Sequence, residues 1–262
     1  MKLACQENMV PGRELAEKIE KLAAWGYEGI EFWGRGLPSR VDEINAACDN
    51  MPVKPSSICA GYSGCLLDPD PEQRNLAVSG IKELLRVAAD IGATGVIFVP
   101  LFGGPRIPDL SPYADAITLE KRLLIELCKE LADYAQQVGS LLLLEPLNRY
   151  ETHLICRLEQ GEEICDQVAN PHMMMMADFF HMNIEEQVIE KAIREHGKYI
   201  RHVHLADSIR WLPGYGHTDF RAGFQALADI GFEGYMALEC HIPGPPDQEL
   251  PKCAEFLRAQ MP

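Results

Sequence analysis

Short apolar runs alternate with longer amphipathic stretches along the whole chain. Eight runs have the length and composition of strands: residues 2–9, 27–33, 55–62, 94–102, 141–148, 172–180, 200–207 and 234–240. The sixth holds the stretch "MMMMADFFHM", residues 173–182. Four methionines in sequence leave no polar face, which fits a strand buried on both sides, and the aspartate and histidine that follow fall at its tip.

Between the runs the apolar period lengthens to that of a helix. In "LEKRLLIELCKELADYAQQVGS", Leu123, Leu127, Leu131 and Ala135 recur every four residues among Glu126, Lys129, Glu130 and Asp133, and Gly139 marks the stop. "RELAEKIEKLAAWG", "EQRNLAVSGIKELLRVAADIG", "LEQGEEICDQVAN", "NIEEQVIEKAIREHG" and "FRAGFQALADIG" read the same way, four closing on glycine and the third on Asn170. Strand and helix alternating in this manner over 262 residues predict a single (β/α)8 barrel domain spanning residues 1–262. An open doubly wound sheet is disfavoured, because no GxGxxG follows the first strand, which runs instead into "QENMVPGRE". In a barrel, Met174 and Met176 share the inward face of Asp178, and Met173 and Met175 lie against the helices.

Composition removes several function classes. With 24 Lys and Arg against 39 Asp and Glu the net charge is −15, which repels a nucleic-acid backbone. No apolar run is long enough to span a bilayer, and the N-terminus "MKLACQENMV" turns polar too early for a signal peptide. Nine cysteines without a CxxC spacing suit reduced thiols. The expectation is a cytoplasmic protein with neither a nucleic-acid nor a membrane partner.

Barrel enzymes build their sites at the carboxyl ends of the strands. There the fifth run carries Glu145, the sixth Asp178, the seventh His204 and the eighth Glu239, at separations of 33, 26 and 35 residues, close to one βα unit each. Four neighbouring strands would thus aim an oxygen-rich set with one imidazole at a single point. Such a set suits Mn²⁺, Co²⁺ or Mg²⁺ more than structural zinc, and without a cation the three carboxylates would repel. Glu151, His181 and Arg210 each follow a ligand candidate by three to six residues, with the hydrogen-bonding chemistry to hold a sugar or polyol. Around them, Trp33, Phe102 and Trp211 are candidates for stacking on an apolar ligand face or for packing the rim, and Glu31 for a distal hydroxyl. His202, two residues before His204, is expected to be a hydrogen-bonded core histidine.

At these residues the sequence resembles the xylose-isomerase-like TIM barrels of sugar isomerases and epimerases, and within them the ketose 3-epimerases acting on tagatose, psicose and related sugars. "EPLNRYE", "DFFHMNIEE", "HVHLADSIRWLPGYGHTDF" and "GYMALEC" carry the resemblance. It implies that Glu145, Asp178, His204 and Glu239 bind one divalent metal, Mn²⁺ or Co²⁺ first, with Mg²⁺ or Zn²⁺ as alternatives. It also implies that Glu151, His181 and Arg210 contact substrate, and that Glu145 and Glu239 are the catalytic pair. One would remove the C3 proton and the other return one on the opposite face, through an enediolate that the metal stabilises. Homo-dimers or tetramers are common among similar proteins.

Three stretches depart from the epimerase pattern. "ADSIR" stands where those enzymes have "ECNR" before the arginine, and "CAGYSGCLLDPDPEQR" and "FVPLFGGPRIPDLSPY" look more like the broader isomerase and inositol-catabolism branches. Aldose–ketose isomerisation and inosose isomerisation or dehydration are therefore the rival activities. An abasic-site endonuclease of the same fold would need more histidine ligands and a basic groove.

Overall fold

The computed structural model describes all 262 residues. Eight parallel strands, β1 (Lys2–Gln6), β2 (Gly29–Trp33), β3 (Lys54–Cys59), β4 (Gly95–Phe98), β5 (Leu141–Leu144), β6 (Met173–Asp178), β7 (Ile200–Leu205) and β8 (Tyr235–Leu238), pair in sequence order and close β8 onto β1. Helices α1 (Leu15–Ala24), α2 (Val41–Cys48), α3 (Pro71–Asp90), α4 (Ala116–Val138), α5 (Leu158–Val168), α6 (Phe179–Glu185), α7 (Ile189–His196), α8 (Phe220–Asp229) and α9 (Pro246–Arg258) surround them. This is the expected (β/α)8 barrel. No helix is long and apolar enough to cross a membrane, and all nine cysteines are free.

The apolar runs extend past the strands they contain. Beyond β4 and β5, Val99, Leu101 and Leu147 stay buried as rim packing, while Pro100 and Pro146 have no N–H to give a ladder. Only one bond continues on each side of the site: Glu145 N donates to Phe98 O at 3.1 Å and Glu239 N to Leu205 O at 3.3 Å. These two bonds fix the backbones of the two glutamates one residue past their strands.

Helix boundaries hold three departures from the periodic reading. The stretch "NIEEQVIEKAIREHG" is split between α6 and α7 because Glu186 is extended at the end of α6, and its carboxylate accepts the N–H of Leu158 at the start of α5. On α4 the fully buried face is Leu124, Cys128, Leu131, Ala132 and Ala135, with Leu123 and Leu127 half-buried at its margin. Gly139 does end α4 in the left-handed region, at φ 77°, but α5 ends with Ala169 there, at φ 53°, rather than at Asn170.

The core has two parts. Most of it lies between barrel and helices and includes Met173 and Met175; a small apolar plug of Cys59, Ile97, Leu143, Met174 and Met176 fills the barrel on the β3–β6 side. The methionines therefore divide as their alternation predicts. The rest of the interior is polar: Glu31, Ser57, His202 and His204 are fully buried. An irregularity in the pairing of β2 with β3, between Ile30–Pro55 and Phe32–Ile58, gives β3 an extra residue beside Glu31.

Phe179, the first residue of α6, anchors the sixth βα unit. Its ring stacks on Phe220 at 5.8 Å and lies 6.1 Å from Phe224, and any side chain at Gly223 would strike it, a Cβ there falling 2.6 Å from the ring. Phe179→Ala should cost about 3–5 kcal/mol by cavity formation. A urea-denaturation midpoint within error of wild type would show that this stack does not hold α6 against α8.

Candidate metal centre and active site

The four residues of the proposed ligand set meet at the carboxyl end of the barrel. One ligand atom each from Glu145, Asp178, His204 and Glu239 lies within 4.8 Å of all the others. Asp178 and His204 are register partners across β6 and β7, while Glu145 and Glu239 stand just past β5 and β8. His204 Nδ1 is 3.4 Å from Glu239 Oε2, 3.8 Å from Glu145 Oε1 and 4.0 Å from Asp178 Oδ2.

Asp178 divides its carboxylate between two tasks. Oδ1 caps α6 by accepting the N–H of Phe180 at 2.7 Å, and Oδ2 is buried with no hydrogen-bond partner. His204 Nδ1 is likewise buried and unpartnered. Two orphaned polar atoms facing one point are costly unless something satisfies them. Burial drives the Glu145 carboxyl well above the usual range, with Glu239 and Asp178 pushing the same way against His204. Burial also raises Glu239, but His204 and Arg210 overcome it and hold that carboxyl low. A divalent cation fits this donor set: it would satisfy both orphaned atoms and relieve the repulsion that favours a proton on Glu145.

His181 and Arg210 close over the cluster. The N–H of Asn148 donates to His181 Nδ1 at 3.1 Å, so in the neutral ring the proton sits on Nε2, 3.5 Å from Asp178 Oδ2 and 3.9 Å from Glu145 Oε1. Burial holds this imidazole below its ordinary pKa. Arg210 donates to Glu239 Oε2 at 2.6 Å, and its guanidinium lies over the Phe180 ring at 4.7 Å. Its backbone is in the left-handed region, at φ 58°. The loop is held there by Asp207, whose carboxylate accepts from the N–H groups of Ser208, Gly214 and Thr218. Thus the "ADSIR" variant supplies its own brace for the arginine. Glu151 lies at the rim, hydrogen-bonded by Asn148 Nδ2 at 3.0 Å and 4.0 Å from His181 Nδ1.

Glu31 is not at a distal substrate position. It is fully buried beneath the cluster, where it accepts from His202, His204, Ser57 and Gln6. Burial works against its ionisation, but the two histidines bring its carboxyl well below the usual range. His202 is the hydrogen-bonded core histidine expected. Gln6 and Asn148 had no sequence signal beyond being polar at a strand end; a lone glutamate inside the apolar run "GIEFW" was the signal for Glu31. His217 is exposed and ties its loop to Ser208 through its backbone N–H.

Of the aromatic candidates, Trp33, Phe102 and Trp211 are all exposed at the mouth. Trp33 lines a cavity of about 420 Å³ with Gln6, Glu7, Asn8, Lys18 and Glu31. Gln6 also reaches Glu239 Oε1 at 3.1 Å, so this cavity adjoins the cluster. A larger one of about 870 Å³, lined by Gly34, Gly61, Ser79 and Arg86 among others, shares no residue with it. Donor chemistry rather than cavity size therefore locates the site.

Comparison with known proteins agrees with the fold. The xylose isomerase-like TIM barrel family profile matches residues 19–260. The chain is 30% identical over 244 residues to 3-dehydro-D-guloside 4-epimerase of Escherichia coli, covering 92% of this chain and 93% of that one. It is 30% identical over 233 residues to D-psicose 3-epimerase of Ruminiclostridium cellulolyticum, covering 84% and 76%. The crystal structure of 3-keto-D-glucoside 4-epimerase from Escherichia coli, in its apo form, superposes with a TM-score of 0.90 at 28% identity over 99% of both chains. From fold, site and relatives together, the chain belongs to the xylose isomerase-like TIM barrel family, as an enzyme of its carbohydrate epimerase and isomerase group.

Proposed function

We propose that the chain is a divalent-cation-dependent epimerase that inverts a carbon adjacent to the ketone of a sugar, with C3 of a ketose as the first candidate. The carrying observation is the convergence of two carboxylates, Glu145 just past β5 and Glu239 just past β8, on one point shared with the unpartnered atoms of Asp178 and His204. The relatives' names fit a common chemistry. In a ketose 3-epimerase the ketone is at C2 and the inverted centre at C3; in a 3-dehydroguloside 4-epimerase the ketone is at C3 and the inverted centre at C4. Each reaction inverts the carbon next to the carbonyl.

Inversion requires a base on one face and an acid on the other. Glu145 and Glu239 approach from strands β5 and β8, so a substrate carbon seated between them would lose its proton to one and receive a proton from the other. Glu145, Asp178, His204 and Glu239 would hold the cation, Mn²⁺ or Co²⁺ first, which supplies Lewis-acid stabilisation of the negative charge developing on the carbonyl oxygen. The Nε2–H of His181 and the guanidinium of Arg210 are placed to donate to substrate oxygens, and Glu151 to accept from a hydroxyl at the rim. Arg210 also orients Glu239 by donating to its Oε2.

Glu145→Gln and Glu239→Gln are each expected to lower kcat by about 10²–10⁴-fold while leaving the folded circular-dichroism spectrum unchanged. Near-normal turnover in either variant would sink the assignment of that residue. Stripping the protein with a chelator should abolish activity and Mn²⁺ or Co²⁺ should restore it; full activity in the stripped protein argues against the cation. In deuterated water, ketoses should gain deuterium at the carbon beside the ketone together with a new epimer. Deuterium at C1 or C2 with an aldose product would mark an isomerase instead, and exchange confined to inososes with loss of water would mark a dehydratase.

A further inference from the structure

A fourth buried carboxylate, outside the ligand set, controls what the set presents. Gln6 Nε2 donates to Glu31 at 2.9 Å, Ser57 Oγ at 2.5 Å, His202 Nε2 at 2.8 Å, and His204 Nε2 lies 3.0 Å from both carboxylate oxygens. A carboxylate offers about four lone-pair positions, so Glu31 is saturated and has no capacity left for substrate. Because His204 Nε2 is committed as a donor, the lone pair of the neutral ring resides on Nδ1, the nitrogen that faces Glu145, Asp178 and Glu239 without a partner. Gln6 extends the same control: its amide nitrogen donates both to Glu31 Oε1 and, at 3.1 Å, to Glu239 Oε1, which leaves Oε2 turned toward His204 and Arg210.

We propose that Glu31 is the positioning residue of the cation site, holding His204 in the Nε2–H tautomer and, through Gln6, fixing the orientation of Glu239. This rests on the four-residue cation site argued above. Charge balance alone does not account for the arrangement. His202 already pairs with Glu31, yet His204 is turned so that its ring spans from Glu31 on one nitrogen to three carboxylates on the other. A partner carboxylate behind a metal-binding histidine fixes its ring and raises its basicity, and removing such a partner weakens metal binding by about 10–100-fold.

The test measures metal affinity rather than turnover. Mn²⁺ dissociation constants, by competition with a chromophoric chelator, are compared among wild type, Glu31→Gln and Ser57→Ala, with thermal unfolding of the stripped proteins as the check on folding. Glu31→Gln should bind about 10–100-fold more weakly, whereas Ser57→Ala, which removes one donor without touching His204, should stay within about twofold of wild type. A wild type that binds Mn²⁺ and a folded Glu31→Gln variant that binds equally well would overturn the role of Glu31 alone. A wild type that binds no divalent cation would overturn the site and this inference with it. Should Glu31→Gln not fold, ¹⁵N-histidine spectra of wild type loaded with diamagnetic Zn²⁺ decide: one ring metallated at Nδ1 and protonated at Nε2 supports the inference, and metallation at Nε2 refutes it.

Discussion

Everything at the site depends on the pairing of β8 with β1. Lys2, Leu3, Ala4 and Cys5 take Tyr235, Met236, Ala237 and Leu238 as partners, and this ladder turns an open parallel sheet into a closed one. In a parallel closed barrel all strands end at the same face. Closure therefore brings Glu239, just past the last strand, within reach of Gln6 at the end of the first, which also holds Glu31 of the second. Residues more than 230 positions apart, such as Gln6 and Glu239, become hydrogen-bond partners. An open sheet of the same strands would leave β1 and β8 as opposite edges and the ligand set without a floor.

The floor carries a cost that the rest of the barrel must offset. A buried carboxylate is tolerated only when paired and hydrogen-bonded, and Glu31 meets that condition with two histidines, a serine and an amide. Arg210 adds backbone strain of about 1–3 kcal/mol, the usual range for a non-glycine residue in the left-handed region. Against these stand the apolar plug on the β3–β6 side and the aromatic stack of Phe179, Phe220 and Phe224. The barrel interior is thus partitioned, with packing on one side and chemistry on the other.

How much of this was legible in the sequence follows from the kind of signal each feature leaves. Period and turn residues disclose strands and helices, so the barrel and the division of the four methionines could be read directly. Glu145, Asp178, His204 and Glu239 were visible because each ends an apolar run, one βα unit from the next. Boundaries were less so: buried loops such as Val99–Leu101 look like strand, and the break between α6 and α7 is made by a tertiary bond from Glu186 that no local pattern records. Helix α2 is only eight residues long, too short for a period to repeat, and α9 opens on Pro245 and Pro246, which read as loop. Glu31 stands out in the sequence but its depth does not, because alternation gives the face of a strand and not how far in its neighbours lie. Gln6, an ordinary amide, acquires its role only when the barrel closes.

The divided carboxylate of Asp178 ties two processes that are usually separate. One oxygen starts α6, the helix that carries His181, and the other faces the cluster. A ligand on Oδ2 would fix the carboxylate in the orientation whose Oδ1 caps the helix, so occupancy of the site and order at the first turn of α6 share one thermodynamic linkage. A ligand held by Asp178 would then slow local opening of that turn, and a perturbation that frays the turn would be felt as weakened binding several ångströms away.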